Sequence, residues 1–434
     1  MDLGSHYWLI NAHIPQCLLT QGFDHQLVTK EGLIACDLEI EAGEIIAIYS
    51  SESRSNIEQP IPIWDLKRGI VLPCFIDMHT HLDKGHIWER SPNPDGTFNG
   101  ALTAVGGDLH SKHESNYLDY EDIYRRMEFG LKSSYAQGTK AIRTHLDCPS
   151  PQFELSLKVF KDLQSEWSDR LVLQAASLVN LDEYTGKKGE VLADRMAELG
   201  GVLGGVAYPN PDLETELDRL FQLATERDLD LDLHSDENDN PTSQTLKAIA
   251  QTALLYTFKG HLVCGHCCSL AVQSETDIEE TLELVKAAQI GIVSLPMCNL
   301  YLQDRRPYRT PRWRGITLIH ELKQKGIPVA IASDNIRDPF FAFGNHDGLE
   351  VFTTAVRIAH LDTPYGDWIK AITTTPADLM KLESNYISVG ATADLIIFKA
   401  RYYSELLSRP QSDRHVLRNG NLINTTLPDY SELD

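Results

Sequence analysis

The sequence is poor in positive charge. Its 39 Lys and Arg stand against 62 Asp and Glu, a formal charge of −23. That balance repels phosphate backbones and anionic headgroups, so neither nucleic acid nor a membrane surface is an expected partner. Long apolar runs are missing as well: no segment approaches the roughly 18 uninterrupted apolar residues of a membrane span. The opening "MDLGSHYWLINAH" has no basic, then apolar, leader, and a cytoplasmic protein is expected. Cysteine is too sparse for a disulfide framework, eight in 434 residues. Cys74, Cys264 and Cys298 fall in apolar runs where a reduced thiol packs as a small hydrophobe. A Gly-rich dinucleotide loop, an internal repeat and a low-complexity tract are all lacking. What remains is a chain with 42% hydrophobic residues, enough for a substantial core, suited to small polar or uncharged ligands.

From about residue 70 short β-branched runs alternate with helix-like stretches. Eight strands are expected: "GIVLPCFIDMH", "KAIRTHLD", "LVLQAASLVN", "VLGGVAYPN", "DLDLHSDE", "LVCGHCC", "GIVSLPMCN" and "VAIASDN". A helical pattern follows each, for example "LETELDRLFQLATERD" after the fourth and "HDGLEVFTTAVRIAHL" after the eighth. Eight βα units over roughly 270 residues predict an α/β fold closed as a (β/α)8 TIM barrel. The flanks "HQLVTKEGLIACDLEIEAGEIIAIYS", "VGATADLIIFK" and "HVLRNGNLIN" read instead as short strands joined by Gly turns. A small β domain from residues 1–68 and 385–434 is therefore expected beside a catalytic barrel of 69–384. The Gly- and Asn-rich stretch from Lys84 to Asn116 is long for a barrel loop, and such loops commonly form lids or binding loops.

In a barrel, chemistry sits where strands end and βα loops begin. The polar residues gather at those ends: His79 and His81 on strand one, His145 on strand two, His234 and Glu237 on strand five, His266 on strand six and Asp334 on strand eight. Two residues apart, His79 and His81 share one face. A lone His-x-His is commonly a hydrogen-bonded strand end. The registration of His and Asp at one end of different strands is what favours a divalent zinc or iron site, with a position left for water. His145 is open between ligand, substrate contact and structural residue. The cysteines of "CGHCC" lie on a buried strand with no second pair at ribbon spacing, so a Cys-zinc site is not expected. The basic stretch "DRRPYRTPRWRG" has interleaved aromatics, but the charge of the whole chain argues for a loop at the site mouth or a subunit contact.

Taken in order, "INAHIP", "VLPCFIDMHTHLD", "IRTHLD", "DLHSDEND", "GHCCSL", "CNLYLQDRR", "SDNIRDPF" and "GATADLIIF" resemble the amidohydrolase superfamily, and more narrowly the cytosine deaminase family. The resemblance implies metal ligands His79, His81, His234 and Asp334, with Glu237 shuttling protons to the ring and leaving amine and His266 orienting the attacking water. Asp334 would also accept the water's proton. Strand four ends "GGVAYPN", without the lysine that bridges two ions in binuclear members, so one divalent ion, zinc or iron, is implied. In substrate recognition the sequence departs from the family. Asn180 stands at the position of a glutamine, Asn335 at that of an aspartate and Phe340 at that of a tryptophan, so these three, with His145, are the expected substrate contacts. Two replacements are smaller, which predicts room for a larger or substituted ring.

The expected function is metal-dependent hydrolytic deamination of cytosine or a related aminoheterocycle, releasing ammonia. One alternative is cleavage of a cyclic amide, or removal of an alkylamine from a triazine-like ring. The other is a non-catalytic protein that keeps the metal pocket, against which Glu237 and His266 argue. The partner is a small heterocycle, and the resemblance is compatible with a homo-oligomer.

Overall fold

The computed structural model describes residues 3–22, 28–51, 61–110, 119–148 and 152–434, side chains of 108–110 excepted. The start of the first flanking motif and residues 111–116 of the long loop lie outside the described residues. The fold is a (β/α)8 TIM barrel with a small β-sheet part built from N- and C-terminal strands. The chain divides into two compact units. One comprises Met1–Ile76, Lys132–Lys140 and Asp347–Pro428, the other Asp77–Leu131, Ala141–His346 and Asp429–Asp434.

In the first unit, strand His6–Pro15 lies between antiparallel Leu33–Glu41 and parallel Ile63–Asp65. A second sheet pairs Leu395–Ile397 antiparallel with both Val71–Pro73 and His415–Arg418. Leu9, Ile14, Leu38 and Ile40 from the front of the chain share one apolar core with Leu395, Ile397 and Leu417 from its end. Burial of that shared apolar face is what ties the two chain ends into one unit. Helix Gly348–Ala359 starts at Asp347, whose carboxylate accepts from Leu349 N–H and is gripped in two parallel bonds by Arg414, at 2.7 and 2.6 Å.

The barrel strands are Phe75–Thr80, Thr139–Asp147, Val172–Leu178, Leu203–Ala207, Leu231–Ser235, Leu262–His266, Gly291–Ser294 and Val329–Ile331, and every expected strand is present. Strands five and six are buried throughout, which is why they read as continuous apolar runs rather than alternations. Strands one to three form one sheet and four to eight another. Isolated bridges complete the ring, Ala176 to Val202 and Asn180 to Val206 between strands three and four and Thr80 to Asp334 between strands one and eight.

Two elements differ from the expectation. "PMCN" does not extend strand seven but opens a helix, Pro296–Leu302, because Pro296 sits at its first turn, where a missing N–H costs nothing. The segment after strand one is not wholly loop, since Phe98–His110 is helical despite its glycines. Among the described residues no helix is long and apolar enough to cross a membrane.

The Arg414–Asp347 pair is almost fully buried. Removing one partner leaves the other charge uncompensated, so Arg414→Met is expected to lower the unfolding free energy by about 3–5 kcal/mol. A urea titration checks this, and an unchanged midpoint would show that the pair is dispensable.

Candidate active site and metal centre

The donors converge at the C-terminal mouth of the barrel. Asp334 N–H donates to His79 O at 2.8 Å, and Thr80 Oγ1 donates to Asp334 O at 3.0 Å. Ser333 is tied to Asp77 by a backbone and a hydroxyl bond. These contacts hold the end of strand eight against strand one. Asp334 itself adopts φ +64°, a left-handed conformation rare for a residue with a Cβ, at the point where the chain leaves strand eight.

His79 Nε2 lies 3.1 Å from His234 Nε2, and His234 Nε2 lies 3.4 Å from His81 Nε2. Asp334 Oδ1 is 3.2 Å from His81 Nε2 and 3.7 Å from His79 Nε2. His79 has room because the residue facing its ring from strand six is Gly265, where a Cβ would fall 2.9 Å from His79 Cε1. Glu237 follows Asp236, whose carboxylate accepts from Thr245 N–H, Leu246 N–H and the hydroxyls of Ser243 and Thr245. That clamp fixes the turn carrying Glu237 Oε1 to 3.3 Å from His266 Nδ1.

The electrostatics suit a cation. Burial holds the imidazoles of His79, His81 and His234 far below their ordinary range, hence neutral with lone pairs available. His266 is lowered to about 3 by the same cause. Burial raises Asp334 to about 7, and both of its carboxylate oxygens are buried without a hydrogen-bond partner. Such orphaned groups need an explanation, and neutral imidazoles beside an unpaired carboxylate are a donor set for a divalent ion. His79, His234, His266 and Asp334 each bring one donor atom within 4.8 Å of the others. His266 therefore competes geometrically with His81 for the fourth place.

Beside these donors opens a cavity of about 750 Å³. Asn180, Asn335 and Phe340 all line it. Asn180 is exposed at the end of strand three. The Asn335 amide is already engaged, donating to Asp338 Oδ2 at 2.7 Å and accepting from Cys298 Sγ at 3.7 Å. His145 is not a lining residue: it is fully buried, with its ring 4.0 Å from that of His79, between the site and the Arg143–Asp232 pair. Helix Phe98–His110 contributes Phe98, Leu102 and Val105 to the cavity wall. The basic stretch after Leu302 folds around Asp304, which accepts from Arg309 and from the backbone of Arg312 and Trp313.

Two residues that the sequence did not single out enter the site. Asn299 is 1% exposed and bonds both His266 and Glu237. Lys84 lies in the cavity wall, 2.9 Å from Asp147 Oδ1 and 5.1 Å from the Phe340 ring centre. Burial opposes its charge, but Asp147 and Asp83 outweigh it and hold the ammonium above its ordinary range. The only signals were position, Lys84 directly after "HTHLD" and Asn299 inside "CNLYLQDRR".

A closed βα barrel with histidine and carboxylate donors at its strand ends defines a class of metal-dependent hydrolases. Residues 154–425 match the amidohydrolase family, and the chain belongs to it. It is 47% identical to the pterin deaminase of Rhizobium rhizogenes strain K84 over 99% of this chain and 96% of that protein. It is also 25% identical to the N-isopropylammelide isopropyl amidohydrolase of Pseudomonas sp. strain ADP, over 83% of this chain and 87% of that one. Among solved structures, 5-methylcytosine deaminase from Klebsiella pneumoniae superposes with a TM-score of 0.80 at 24% identity, covering 96% of this chain and 97% of that one.

Protons compete with a cation for this donor set. Because Asp334 titrates raised, near 7, apparent zinc affinity is expected to climb with pH up to about neutrality and flatten above it. Competition with a colorimetric chelator reads this directly. Asp334→Asn should remove most of the climb, and a flat profile in the unmodified protein would sink the assignment.

Proposed function

We propose that this chain is a metal-dependent aminohydrolase that releases ammonia from an aminoheterocycle of the pterin class. The observation that carries the substrate class is the 47% identity, over nearly the whole chain, to a pterin deaminase. A cavity of about 750 Å³ has ample room for a bicyclic ring, in keeping with Asn180 and Phe340, each smaller than the residue the resemblance associates with its position. A single ion, zinc or iron, held by His79, His81, His234 and Asp334 accounts for the donors; strand four is followed by Tyr208 rather than by a bridging lysine. The free cysteines fit a cytoplasmic setting.

A divalent ion in the donor cluster would act as a Lewis acid that lowers the pKa of a water molecule. Asp334 would take a proton from the attacking water as the water's oxygen bonds to the amino-bearing carbon. Glu237, raised well above the carboxylate range chiefly by burial and further by Asp334, is disposed to act as the proton donor. It delivers its proton to the ring nitrogen, takes up the proton left on the new hydroxyl as the carbonyl forms, and passes it to the amine, which leaves as ammonia; the proton held by Asp334 then returns to Glu237. His266 faces the attacking water, and Phe340 with Phe98 forms an aromatic wall, their rings 5.6 Å apart.

A coupled ammonia assay across pterin, cytosine, adenine, guanine and N-isopropylammelide tests the substrate class, with metal content measured on the same sample. The highest kcat/KM is expected with pterin. A higher value with cytosine would overturn the reading, and release of isopropylamine without ammonia would move the chain to alkylamine removal. Glu237→Gln is expected to retain the metal and lose about 10²–10⁴ in kcat, the range of general acid–base catalysis. Near-normal turnover in that variant would remove Glu237 from proton transfer.

A further inference from the structure

His266 presents a problem that the donor cluster alone does not solve. One of its ring nitrogens lies with the donor atoms of His79, His234 and Asp334 inside a 4.8 Å group, and since Nδ1 faces Asn299 while Nε2 is buried without a hydrogen-bond partner, Nε2 is the atom free to be a ligand. A ligand must offer a lone pair, whereas a group that positions water by donating must carry a hydrogen on the same atom. The two roles require opposite tautomers of one ring.

The tautomer is decided at the other nitrogen. Asn299 Nδ2 lies 3.0 Å from His266 Nδ1 and 3.3 Å from Glu237 Oε1. An amide NH2 has two hydrogens, one for each of these atoms when His266 Nδ1 carries a lone pair; the rival arrangement is an Nδ1–H donated to Glu237 Oε1, which lies 3.3 Å from that nitrogen. Exchanging the amide's oxygen and nitrogen would set an oxygen against the Glu237 oxygen, which is repulsive whenever that carboxylate is ionised. A protonated carboxyl keeps one accepting oxygen, so the bond to Oε1 survives protonation when the proton sits on Oε2. Asn299 is held for this by Pro296–Leu302, the helix in which it sits and whose first turn contains Pro296.

We infer that Asn299 is a positioning residue that locks His266 as the Nε2–H tautomer, which excludes it from the ligand set and keeps Glu237 Oε1 occupied. The inference rests on the deaminase reading for its catalytic consequence, but not for the tautomer. His81, at 3.2 Å from Asp334 Oδ1, then fills the fourth donor place. His266 keeps a hydrogen aimed into the site.

The first test needs no substrate. In zinc-loaded enzyme carrying ¹⁵N-histidine, a long-range ¹H–¹⁵N correlation distinguishes the two ring nitrogens, and loss of signals in His266→Gln identifies the residue among the 16 histidines. Hydrogen on Nε2 is expected, and hydrogen on Nδ1 overturns the proposal whatever the enzyme deaminates. The second test uses Asn299→Asp, whose side chain can only accept when ionised. It should draw the hydrogen to Nδ1, free the Nε2 lone pair and raise the imidazole count at zinc from three to four by X-ray absorption. In parallel kcat should fall about 10–100-fold, the usual cost of losing a group that orients a site residue. An unchanged count with wild-type kcat in Asn299→Asp refutes the proposal. Should that variant not fold, Asn299→Ala serves: a mixed or reversed tautomer with reduced kcat and little change in KM supports the role, and a wild-type tautomer refutes it.

Discussion

One backbone hydrogen bond, from Asp334 N–H to His79 O, carries more of this site than any side chain does. It closes the barrel where the eighth strand meets the first. The donors of His79, His81 and Asp334 become neighbours only because those strands are joined. The left-handed backbone at Asp334 and again at His266, with φ +66°, belongs to the same constraint. Both residues leave their strands by a path that L-residues avoid, a strain tolerated where surrounding structure over-determines it. The Ser333–Asp77 and Thr80–Asp334 bonds supply that surrounding structure.

Closure creates an electrostatic difficulty that shapes the chemistry. Five imidazoles, of His79, His81, His145, His234 and His266, and the carboxylate of Asp334 are removed from water together. Burial keeps the imidazoles neutral and pushes the acid toward its protonated form, which leaves several buried polar atoms without partners. Such an arrangement is poor as a folded core and good as a receptacle, because a cation turns each orphaned lone pair into a bond. His145 and the Arg143–Asp232 pair behind it form the floor, holding the receptacle rigid from below.

Much of this was legible in the sequence, and the reason is periodicity. Strands buried on both faces read as apolar runs, so their ends can be located to within a residue or two, and polar residues at those ends stand out. His79, His81, His234, Glu237, His266 and Asp334 were visible for that reason. What could not be read is depth and direction. His145 points into the same interior, yet packs beneath the site, since Asp147, two residues further along the same strand face, is the one that reaches the cavity wall. Asn299 and Lys84 sit in segments of no strong period, where only the three-dimensional path shows which way an amide or an ammonium faces. Helix Phe98–His110 was hidden by glycines at 100, 106 and 107, whose helix-breaking preference is overridden here.

The engaged amide of Asn335 bears on how such enzymes can diverge. Its nitrogen donates to Asp338 at 2.7 Å, so an aspartate at 335, the residue the resemblance associates with cytosine deaminases, would confront a second carboxylate across that distance. A change at position 335 alone would set two buried acids face to face, and they would have to share a proton. If Asp338 is relieved beforehand the route is open. The order of substitutions, and not only their identity, is thus written into the geometry: ancestry at this site should run in pairs, with the supporting residue moving ahead of the one that meets the ring.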